Sequence, residues 1–478
     1  MPADRLTRSG APKPGVGIVH LGLGAFYRAF GAVYIADAMA ASGGDWGITG
    51  VSLQRPDVRD ALAPQGCAYT VVSLGPDGED TRVIEVLDDV LVAPENPEAV
   101  LAAMADAGVQ IVTLTVTEKG YCHNPATGAL DAGNAGIQHD IANPLPKTAP
   151  GYLVRALQRR QQAGLRPFTV LTCDNLPENG RLVRGVVLEL AALIDPALAT
   201  WIRAKGRFPA TMVDRITPAT TDADIARIEA LTGVHDAAPV LCEPFRQWVI
   251  EDDFVDGARP DFAAAGAEMV SDVTAYEHMK LRMLNGTHSA LAYLGYLGGF
   301  ETIADTVADP GFAGYVRALW AKEIAPAIAA PPGVSLSNYA DALFDRYANP
   351  AIRHRTWQIA MDGSQKLPQR LLGTLQENLD DARPIAGLSL AVAAWMRYVG
   401  GVGENGQPID VRDPMAGRLR ALSQTNTDAN ARVKALLAVT EIFPPELANR
   451  LTDPVTEAYK NLLEMGARAS VAAIKNLA

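Results

Sequence analysis

The feature that most constrains the fold is a glycine-containing turn near the start of the chain. A short apolar run, Val16–Leu21, ends in Gly22-Leu23-Gly24, and a pattern with helical spacing follows as far as Ala41. A second apolar run at residues 46–53 comes after a Gly-Gly pair. Strand, tight turn, helix and second strand in this order predict a βαβ unit with parallel strands.

The rest of the chain divides into an alternating half and a helical half. Further strands are predicted by apolar runs at residues 110–116, 167–173 and 210–213, and helical patterns lie at 97–107, 151–163 and 182–204. Residues 69–74 and 81–92 flank Gly-Pro-Asp-Gly and predict a hairpin. After residue 273 the patterns are helical, at 274–293, 310–327, 335–346, 388–399, 428–439 and 454–477.

These patterns predict an α/β fold. We expect a Rossmann-like N-terminal domain with a mostly parallel sheet over residues 16–273, because strands that alternate with helices build such sheets. A mainly α-helical C-terminal domain would follow over residues 274–478. Residues 1–15 are polar and rich in Pro and Gly, which predicts a disordered lead-in rather than a signal peptide or membrane helix.

Composition excludes several classes of protein. With 478 residues the chain exceeds what one core usually organises, so two domains are expected. A net charge of -12 argues against nucleic acid as a partner, because proteins that bind it gather Lys and Arg on one face. The four cysteines form no CxxC pair and suit a reducing compartment. We therefore expect a cytoplasmic protein with no membrane partner.

The turn after the first strand has the character of a phosphate-binding loop. Gly22 and Gly24 would let the backbone approach a pyrophosphate, whose charge the N–H groups at the start of the next helix would meet. Ala25, Phe26 and Arg28 belong to the same loop, and an arginine beside a diphosphate is chemically sensible. The third glycine of the dinucleotide fingerprint is absent, so a turn without a ligand is the alternative. Because GK[ST] is also absent, a dinucleotide is favoured over a nucleoside triphosphate.

The segment after the second strand bears on the choice of dinucleotide. An acid there accepts hydrogen bonds from the ribose of NAD, whereas a cation favours the extra phosphate of NADP. Residues 54–59 offer both, and Asp57 favours NAD without excluding NADP. The alternative for Asp57 is a solvated loop carboxylate.

Lys280, Asn285 and His288 form the candidate catalytic set. On an α-helix the three fall within an arc of roughly 140°, so one face could present an amine, an amide and an imidazole. Oxidising an alcohol by hydride loss needs a base, and a lysine serves if burial or a nearby cation lowers its pKa from about 10.4. An asparagine N–H can hold the developing oxyanion, and Asn285 is one candidate. Asn175, which follows the strand predicted at 167–173, is another, and each residue taken singly has an ordinary structural alternative.

Several sequence blocks resemble, in the same order, the polyol-specific long-chain dehydrogenases, the mannitol dehydrogenase family. The blocks are residues 22–28, 115–121, 173–175, 213–215, 243–252 and 276–288, and the likeness runs from about Gly17 to the C-terminus. The resemblance implies a site in the cleft between a Rossmann-like and a helical domain, and it implies that no metal takes part. It also permits a monomer. The roles it implies are Lys280 as acid/base, Asn175 and Asn285 as oxyanion donors, His288 and Asp214 near the substrate, Glu118 beside the proton path, and Thr115 and Thr117 at the cofactor.

Within that family, residues 354–370 resemble the fructuronate reductases, also called D-mannonate oxidoreductases. Members that act on mannitol tend to carry an arginine where this chain has Gln358, which favours a sugar acid over a neutral polyol. A carboxylate is usually met by a bidentate arginine, so Arg355 is the candidate, with Lys366 as a second cation. Surface pairing of Arg355 with an acid is the alternative. Mannitol, arabinitol or tagaturonate chemistry remains the rival, and a non-catalytic dinucleotide sensor is the rival of a different class.

Overall fold

The computed structural model describes residues 3–124, 127–425 and 428–476, in two compact units, Met1–Thr274 and Ala275–Ala478. The strands of the first unit are β1 (Asp4–Arg5), β2 (Val16–Leu21), β3 (Gly47–Ser52), β4 (Tyr69–Gly75), β5 (Gly78–Ile84), β6 (Leu87–Val92), β7 (Ile111–Leu114), β8 (Thr169–Thr172), β9 (Thr211–Asp214), β10 (Val234–His235), β11 (Val240–Cys242), β12 (Gln247–Glu251) and β13 (Glu268–Val270). Its helices are α1 (Ala25–Ala29), α2 (Gly31–Ser42), α3 (Asp57–Leu62), α4 (Pro97–Ala105), α5 (Thr117–Gly120), α6 (Ala135–Ala142), α7 (Ala149–Gln162), α8 (Asn179–Ile194), α9 (Pro196–Lys205) and α10 (Asp222–Thr232).

The second unit is built of helices in its described part. They are α11 (Thr274–Met279), α12 (Thr287–Leu297), α13 (Ile303–Ala308), α14 (Pro310–Leu319), α15 (Leu336–Ala348), α16 (Thr356–Ile359), α17 (Gly363–Leu367), α18 (Gly373–Asp380), α19 (Ala386–Val399), α20 (Ala416–Thr425), α21 (Ala429–Leu437) and α22 (Pro445–Asn476), the last broken at Gly466. Three π-helical turns lie between them, at Lys280–Gly286, Trp320–Ile324 and Pro368–Leu372. The predicted class, a Rossmann-like α/β region followed by a mainly helical one, is confirmed.

A five-stranded parallel sheet forms the centre of the first unit. Its strand order is β6-β3-β2-β7-β8. The strands β3 and β6 therefore lie on one side of β2, and β7 and β8 lie on its other side, so the order of the strands reverses at β2. Ile18 and Val19, neighbours in β2, are both fully buried but belong to separate hydrophobic cores on opposite faces. Burial on both faces explains why these strands read as continuous apolar runs. Ligands of such sheets bind where the strand order reverses, beyond the carboxyl ends of β2 and β7.

Two strand predictions need correction. The predicted hairpin exists as antiparallel β4 and β5, but the run at 81–92 is two strands, because β6 leaves the hairpin and pairs with β3 in the parallel sheet. The strand predicted at 210–213 exists as β9, yet it pairs antiparallel with β12 in a separate three-stranded sheet. Apolar content marks both segments as strands without specifying their partners.

The predicted disordered lead-in is wrong for residues 3–15, while residues 1–2 lie outside the described residues. Strand β1 pairs in parallel with β10, and Leu6 is buried beside them. Arg8 donates from Nη1 to Leu87 O (2.9 Å), and Ser9 donates from its backbone N to the Glu85 carboxylate (2.5 Å). These long-range contacts order a segment whose composition alone is typical of disorder.

A buried acid joins two helical segments of the second unit. Glu323, in the turn Trp320–Ile324, is 5% exposed and accepts hydrogen bonds from the backbone N of Gly387 (2.6 Å) and Leu388 (2.9 Å). Helix α19 begins beside them, after Ile385, which provides no side-chain cap. Burial raises the pKa of Glu323, and the two backbone N–H groups oppose that rise. The helix start is therefore satisfied by a residue distant in sequence.

Candidate active site

The backbone conformation and packing of the loop require its first glycine, Gly22. Gly22 has a φ of 91°, and a Cβ there would lie 2.2 Å from Thr115 O. Its backbone N donates to Val51 O (2.9 Å), and its own carbonyl accepts from Thr115 Oγ1 (2.9 Å). Since no other residue adopts this conformation without strain, Gly22 holds the turn between β2 and α1.

The second glycine has no such structural reason. A Cβ on Gly24 would meet only Gly22 O, at 3.8 Å, so it would point into open space. Helix α1 begins at Ala25 without a side-chain cap from Gly24. An uncapped helix start beside a position kept free of a side chain suits the backbone approach of a phosphate group. Of the two glycines, Gly24 is therefore the one whose lack of a side chain has no explanation in the packing of the protein.

Arg28 lies inside the unit and supports the loop. It is 6% exposed, and its guanidinium donates to Gly24 O (3.3 Å) and Ala238 O (2.5 Å) while lying over the Tyr69 ring at 5.4 Å. Burial lowers the pKa of Arg28, and Tyr69 opposes that change. These contacts favour a structural role for Arg28 over direct contact with a diphosphate.

A buried polar network under the loop was not anticipated from the sequence. His20, in β2, stacks on Tyr27 with ring centroids 3.4 Å apart. Its Nδ1 lies 2.8 Å from Thr113 Oγ1 and its Nε2 lies 3.0 Å from Thr115 Oγ1. Burial lowers the pKa of His20 to about 3, so its ring is neutral at neutral pH. The signal available in the sequence was a single imidazole within an otherwise apolar strand.

Asp174 holds the segment that carries Thr117 and Glu118. Its carboxylate accepts hydrogen bonds from the backbone N of Val116 (2.8 Å) and Thr117 (3.1 Å) and from the Tyr121 hydroxyl (2.8 Å). Thr117 has a φ of 62°, a conformation that β-branched residues rarely adopt. Burial raises the pKa of Asp174, whereas the hydrogen bonds lower it. Strained backbone that is held by hydrogen bonds is characteristic of functional sites. Asp174 was not predicted as a candidate because the sequence placed it in a turn.

The remaining candidates of the first unit occupy strand ends. Asn175 follows β8 and is exposed, whereas Asp214 is the last residue of β9 and is buried. Asp57 begins α3 with 69% of its side chain exposed and lies 3.5 Å from Arg55. Both signs of charge are therefore present and exposed in the segment beyond β3.

Two members of the candidate catalytic set, Lys280 and Asn285, lie on a π-helical turn, which corrects the α-helical geometry assumed from the sequence, while His288 lies in α12. Lys280 and Asn285 are five residues apart within Lys280–Gly286, and hydrogen bonds in a π-helix join residues five apart. The π-helical turn therefore places Lys280 and Asn285 closer to one common face of the helix than an α-helix would. Lys280 and His288 are 5% and 6% exposed. Burial removes the water that would otherwise stabilise a charged amine, as the acid/base hypothesis requires.

Three side chains from other segments bind consecutive carbonyls of that turn. The donors are Trp320 Nε1 to Met283 O (3.1 Å), Tyr347 OH to Leu284 O (2.8 Å) and Arg370 Nη1 to Asn285 O (3.4 Å). Gly286 lets the backbone at residue 370 approach, because a Cβ on it would lie 2.6 Å from the carbonyl oxygen there. The π-helical turn is thus held from outside by tertiary contacts. None of these three residues was anticipated, since periodicity does not report such contacts.

His288 packs among rings that keep it neutral. Its ring lies 4.6 Å from Tyr347 and 5.1 Å from His354, centroid to centroid. Burial lowers the pKa of His288 well below its usual value, and His354 and Arg370 lower it further. The pKa of His354 falls to about 4, again chiefly by burial. A neutral imidazole can orient a substrate hydroxyl through a hydrogen bond.

The residues predicted to bind a substrate carboxylate differ in their exposure to solvent. Arg355 has 59% of its side chain exposed and lies 3.6 Å from Glu301, which favours surface pairing. Gln358 is exposed as well. Lys366 is half-buried and donates from Nζ to Met361 O (2.6 Å). Burial, and next Arg370, lower the pKa of Lys366 to about 8.

The described residues contain neither a cluster suited to a metal ion nor a helix suited to a membrane. In residues 3–124, 127–425 and 428–476, no group of three or more His, Cys, Asp and Glu side chains is placed to hold a metal ion. In the same part of the chain, no helix has the length and apolar character needed to cross a membrane.

Comparison with known proteins gives the family. The family model for the mannitol dehydrogenase Rossmann domain matches residues 16–263, and that for the mannitol dehydrogenase C-terminal domain matches residues 272–463. The D-mannonate oxidoreductase of Escherichia coli strain K12 is 48% identical over 465 residues, which are 96% of this chain and 95% of that protein. A mannitol 2-dehydrogenase of Phaeosphaeria nodorum is 41% identical over 465 residues, 95% of this chain and 81% of that protein.

A solved structure agrees over the full length. The Pseudomonas fluorescens mannitol 2-dehydrogenase, in a ternary complex with NAD and D-mannitol, matches with a TM-score of 0.88 and 38% sequence identity. The match covers 100% of this chain and 97% of that chain. The chain belongs to the mannitol dehydrogenase family of oxidoreductases, which act on the CH-OH groups of polyols and sugar acids.

Proposed function

We propose that this protein is an NAD-dependent fructuronate reductase, which converts D-fructuronate, NADH and a proton to D-mannonate and NAD⁺ and runs the reverse reaction as well. The observation that carries the proposal is the buried Lys280 on a π-helical turn that also carries Asn285, in a chain nearly half identical to a D-mannonate oxidoreductase. The family supplies the oxidoreductase chemistry, and the cation-rich surroundings of His288 support an acidic sugar as substrate.

The glycine loop supports the dinucleotide. Gly22 sets the turn, Gly24 leaves open space beside an uncapped helix start, and the loop lies where the strand order reverses. We assign the pyrophosphate to the backbone of residues 22–26, with Asp57, Thr115 and Thr117 as further cofactor-binding candidates. Bound NADH supplies the hydride. The relative with NAD in its ternary complex supports NAD as the dinucleotide.

Proton transfer is assigned to Lys280. During reduction its ammonium gives a proton to the ketone oxygen, and during oxidation the neutral amine takes the hydroxyl proton. Amide N–H groups of Asn285 and Asn175 hold the oxygen as negative charge develops on it, and neutral His288 orients a neighbouring hydroxyl. Glu118 and Asp214 keep the roles that the family resemblance implies, in proton relay and substrate binding.

Lys280→Ala tests the role of the amine. We expect kcat to fall by about 10²- to 10⁴-fold, the usual contribution of a general acid/base, while the Kd for NADH measured by fluorescence titration stays nearly unchanged. Lys322→Ala is the matched control, because Lys322 is an exposed lysine on another π-helical turn. Equal losses of turnover and NADH binding in the Lys280 variant would contradict the assignment.

The substrate is tested with a panel of assays. NADH and NADPH oxidation by the purified chain is followed with fructuronate, tagaturonate and fructose, and we expect the highest kcat/KM with fructuronate and NADH. Faster turnover of fructose would favour the second candidate, a mannitol 2-dehydrogenase, which the P. nodorum and P. fluorescens relatives support. A chain that binds NADH and reduces none of the three would instead be a dinucleotide sensor.

A further inference from the structure

The second unit contains a cluster of cationic and imidazole side chains, which we call the cation cluster: His288, His354, Lys366 and Arg370. His288 and His354 meet edge to face at 5.1 Å. Lys366 and Arg370 are four residues apart at the junction of α17 and the turn Pro368–Leu372. Arg370 lowers the pKa of each of the other three members, so all of them lie within its electrostatic reach.

The acids near the cation cluster do not pair with Arg370. Asp413 accepts hydrogen bonds from the Ser364 hydroxyl (2.6 Å) and from the backbone N of Ser364 (2.7 Å) and Met415 (2.8 Å). Asp362 and Asp413 raise the pKa of Lys366, against the larger effects of burial and Arg370. Within the described residues, Arg370 forms no ion pair. Positive charge that is withdrawn from water is normally neutralised, and here the described protein does not neutralise it.

The guanidinium of Arg370 has N–H groups that donate to no acceptor within the described residues. Nη1 donates to Asn285 O (3.4 Å) and to Ser289 Oγ (3.1 Å). In the described part of the chain, Nε and Nη2 have no hydrogen-bond partner, although burial lowers the pKa of the group. A guanidinium presents its N–H donors as a planar fork that matches the two oxygens of a carboxylate.

The other candidate cations are occupied. Lys366 Nζ is bound to the carbonyls of Met361 (2.6 Å) and Ile359 (3.4 Å). Arg355 is largely exposed and lies beside Glu301. Arg370, by contrast, contacts the backbone of Asn285, the residue proposed to hold the reacting oxygen. Fructuronate carries its ketone and its carboxylate on one short chain, so both groups need partners within one site.

We propose that Arg370 is the residue that recognises the substrate carboxylate and makes the enzyme selective for sugar acids over neutral polyols. The proposal rests on the proposed function, because it assigns the acid-binding group of that same site. Arg370 thereby takes the role first assigned to Arg355, and Lys366 contributes positive potential rather than a direct contact.

Arg370→Gln and Arg370→Lys test this assignment. In Arg370→Gln we expect the KM for fructuronate to rise roughly 10- to 100-fold, the loss corresponding to charge-assisted hydrogen bonds, with kcat reduced far less. Arg370→Lys should recover part of the affinity because it restores the charge without the fork. Binding of mannonate and of mannitol, read as thermal stabilisation of the NAD complex, should weaken for mannonate alone. Arg317→Gln is the control, since Arg317 is an exposed arginine paired with Asp341 on the surface of the same unit.

The outcomes separate this proposal from the function proposed above. Wild-type protein that reduces fructuronate, together with an Arg370→Gln variant of unchanged KM, would overturn the role of Arg370 alone. A rise in KM produced by Arg355→Gln instead would return the role to Arg355. If the wild type prefers tagaturonate, the named substrate is wrong, yet the same KM shift with tagaturonate still supports Arg370. Wild-type protein that binds mannitol but not mannonate overturns both.

Discussion

Gly286→Ala probes the contact between the π-helical turn Lys280–Gly286, which carries the proposed catalytic residues, and the backbone of Arg370. The added Cβ would lie 2.6 Å from Arg370 O, whereas ordinary contacts begin near 3.4 Å, so the two π-helical segments must separate by about 0.8 Å. A displacement of about 1 Å at catalytic groups can cost about 10²-fold in rate, so we expect kcat to fall 10- to 100-fold.

The stability of this variant should fall only moderately, because two effects of the substitution oppose each other. Overpacking costs about 1–3 kcal/mol, while Ala is favoured over Gly in a helix by about 1 kcal/mol, so the net loss should be about 0–2 kcal/mol. Stability is read from urea unfolding, and kcat from steady-state NADH oxidation with fructuronate. Gly185→Ala in α8 is the control, because its Cβ would meet nothing within 4 Å. Full activity of Gly286→Ala would refute the reasoning that this close contact positions Lys280 and Asn285.

Two further predictions concern the first unit. His20 has a folded-state pKa of about 3, below its usual 6.5, so the unfolded chain binds the extra proton and stability falls as pH drops from about 6.5 towards 3. Between pH 7 and pH 5 this residue should account for about 2 kcal/mol of the loss, and urea unfolding of His20→Gln should show a drop smaller by that amount; an equal drop would contradict the assignment. Gly22→Ala should destabilise the unit by about 3 kcal/mol, whereas Gly24→Ala should leave stability within about 0.5 kcal/mol yet weaken NADH binding at least tenfold in a fluorescence titration. Equal behaviour of the two glycine variants would show that the loop does not bind the dinucleotide through Gly24.

Much of the first unit could be predicted because buried parallel strands leave a local signature. The segment Val16–Leu21 is apolar apart from His20 since both of its faces are covered, and Gly22 marks the turn because its φ of 91° is forbidden to most residues. Partners of strands leave no such signature. The separation of β6 from the hairpin and the pairing of β9 with β12 depend on contacts far away in sequence.

The residue types of the candidate site could be predicted from the sequence, but its geometry could not. Lys280, Asn285 and His288 were identified because amine, amide and imidazole together suit proton transfer, yet a 3.6-residue period cannot reveal a π-helical turn. Arg370 was overlooked for a related reason. Whether a cation has an acidic partner is a property of tertiary packing, and a lone arginine in a helical pattern looks like a solvated one.

The cap that Glu323 provides for α19 ties two distant stretches of chain into one cooperative folding unit. Helix α19 has no local residue to close its first turn, so its opening amides are protected only while the segment around Trp320–Ile324 is in place. Amide exchange at Gly387 and Leu388 should therefore report subglobal opening of the helical unit instead of end fraying. A proteolytic cut between these stretches would leave the C-terminal fragment with a helix that frays from its first turn.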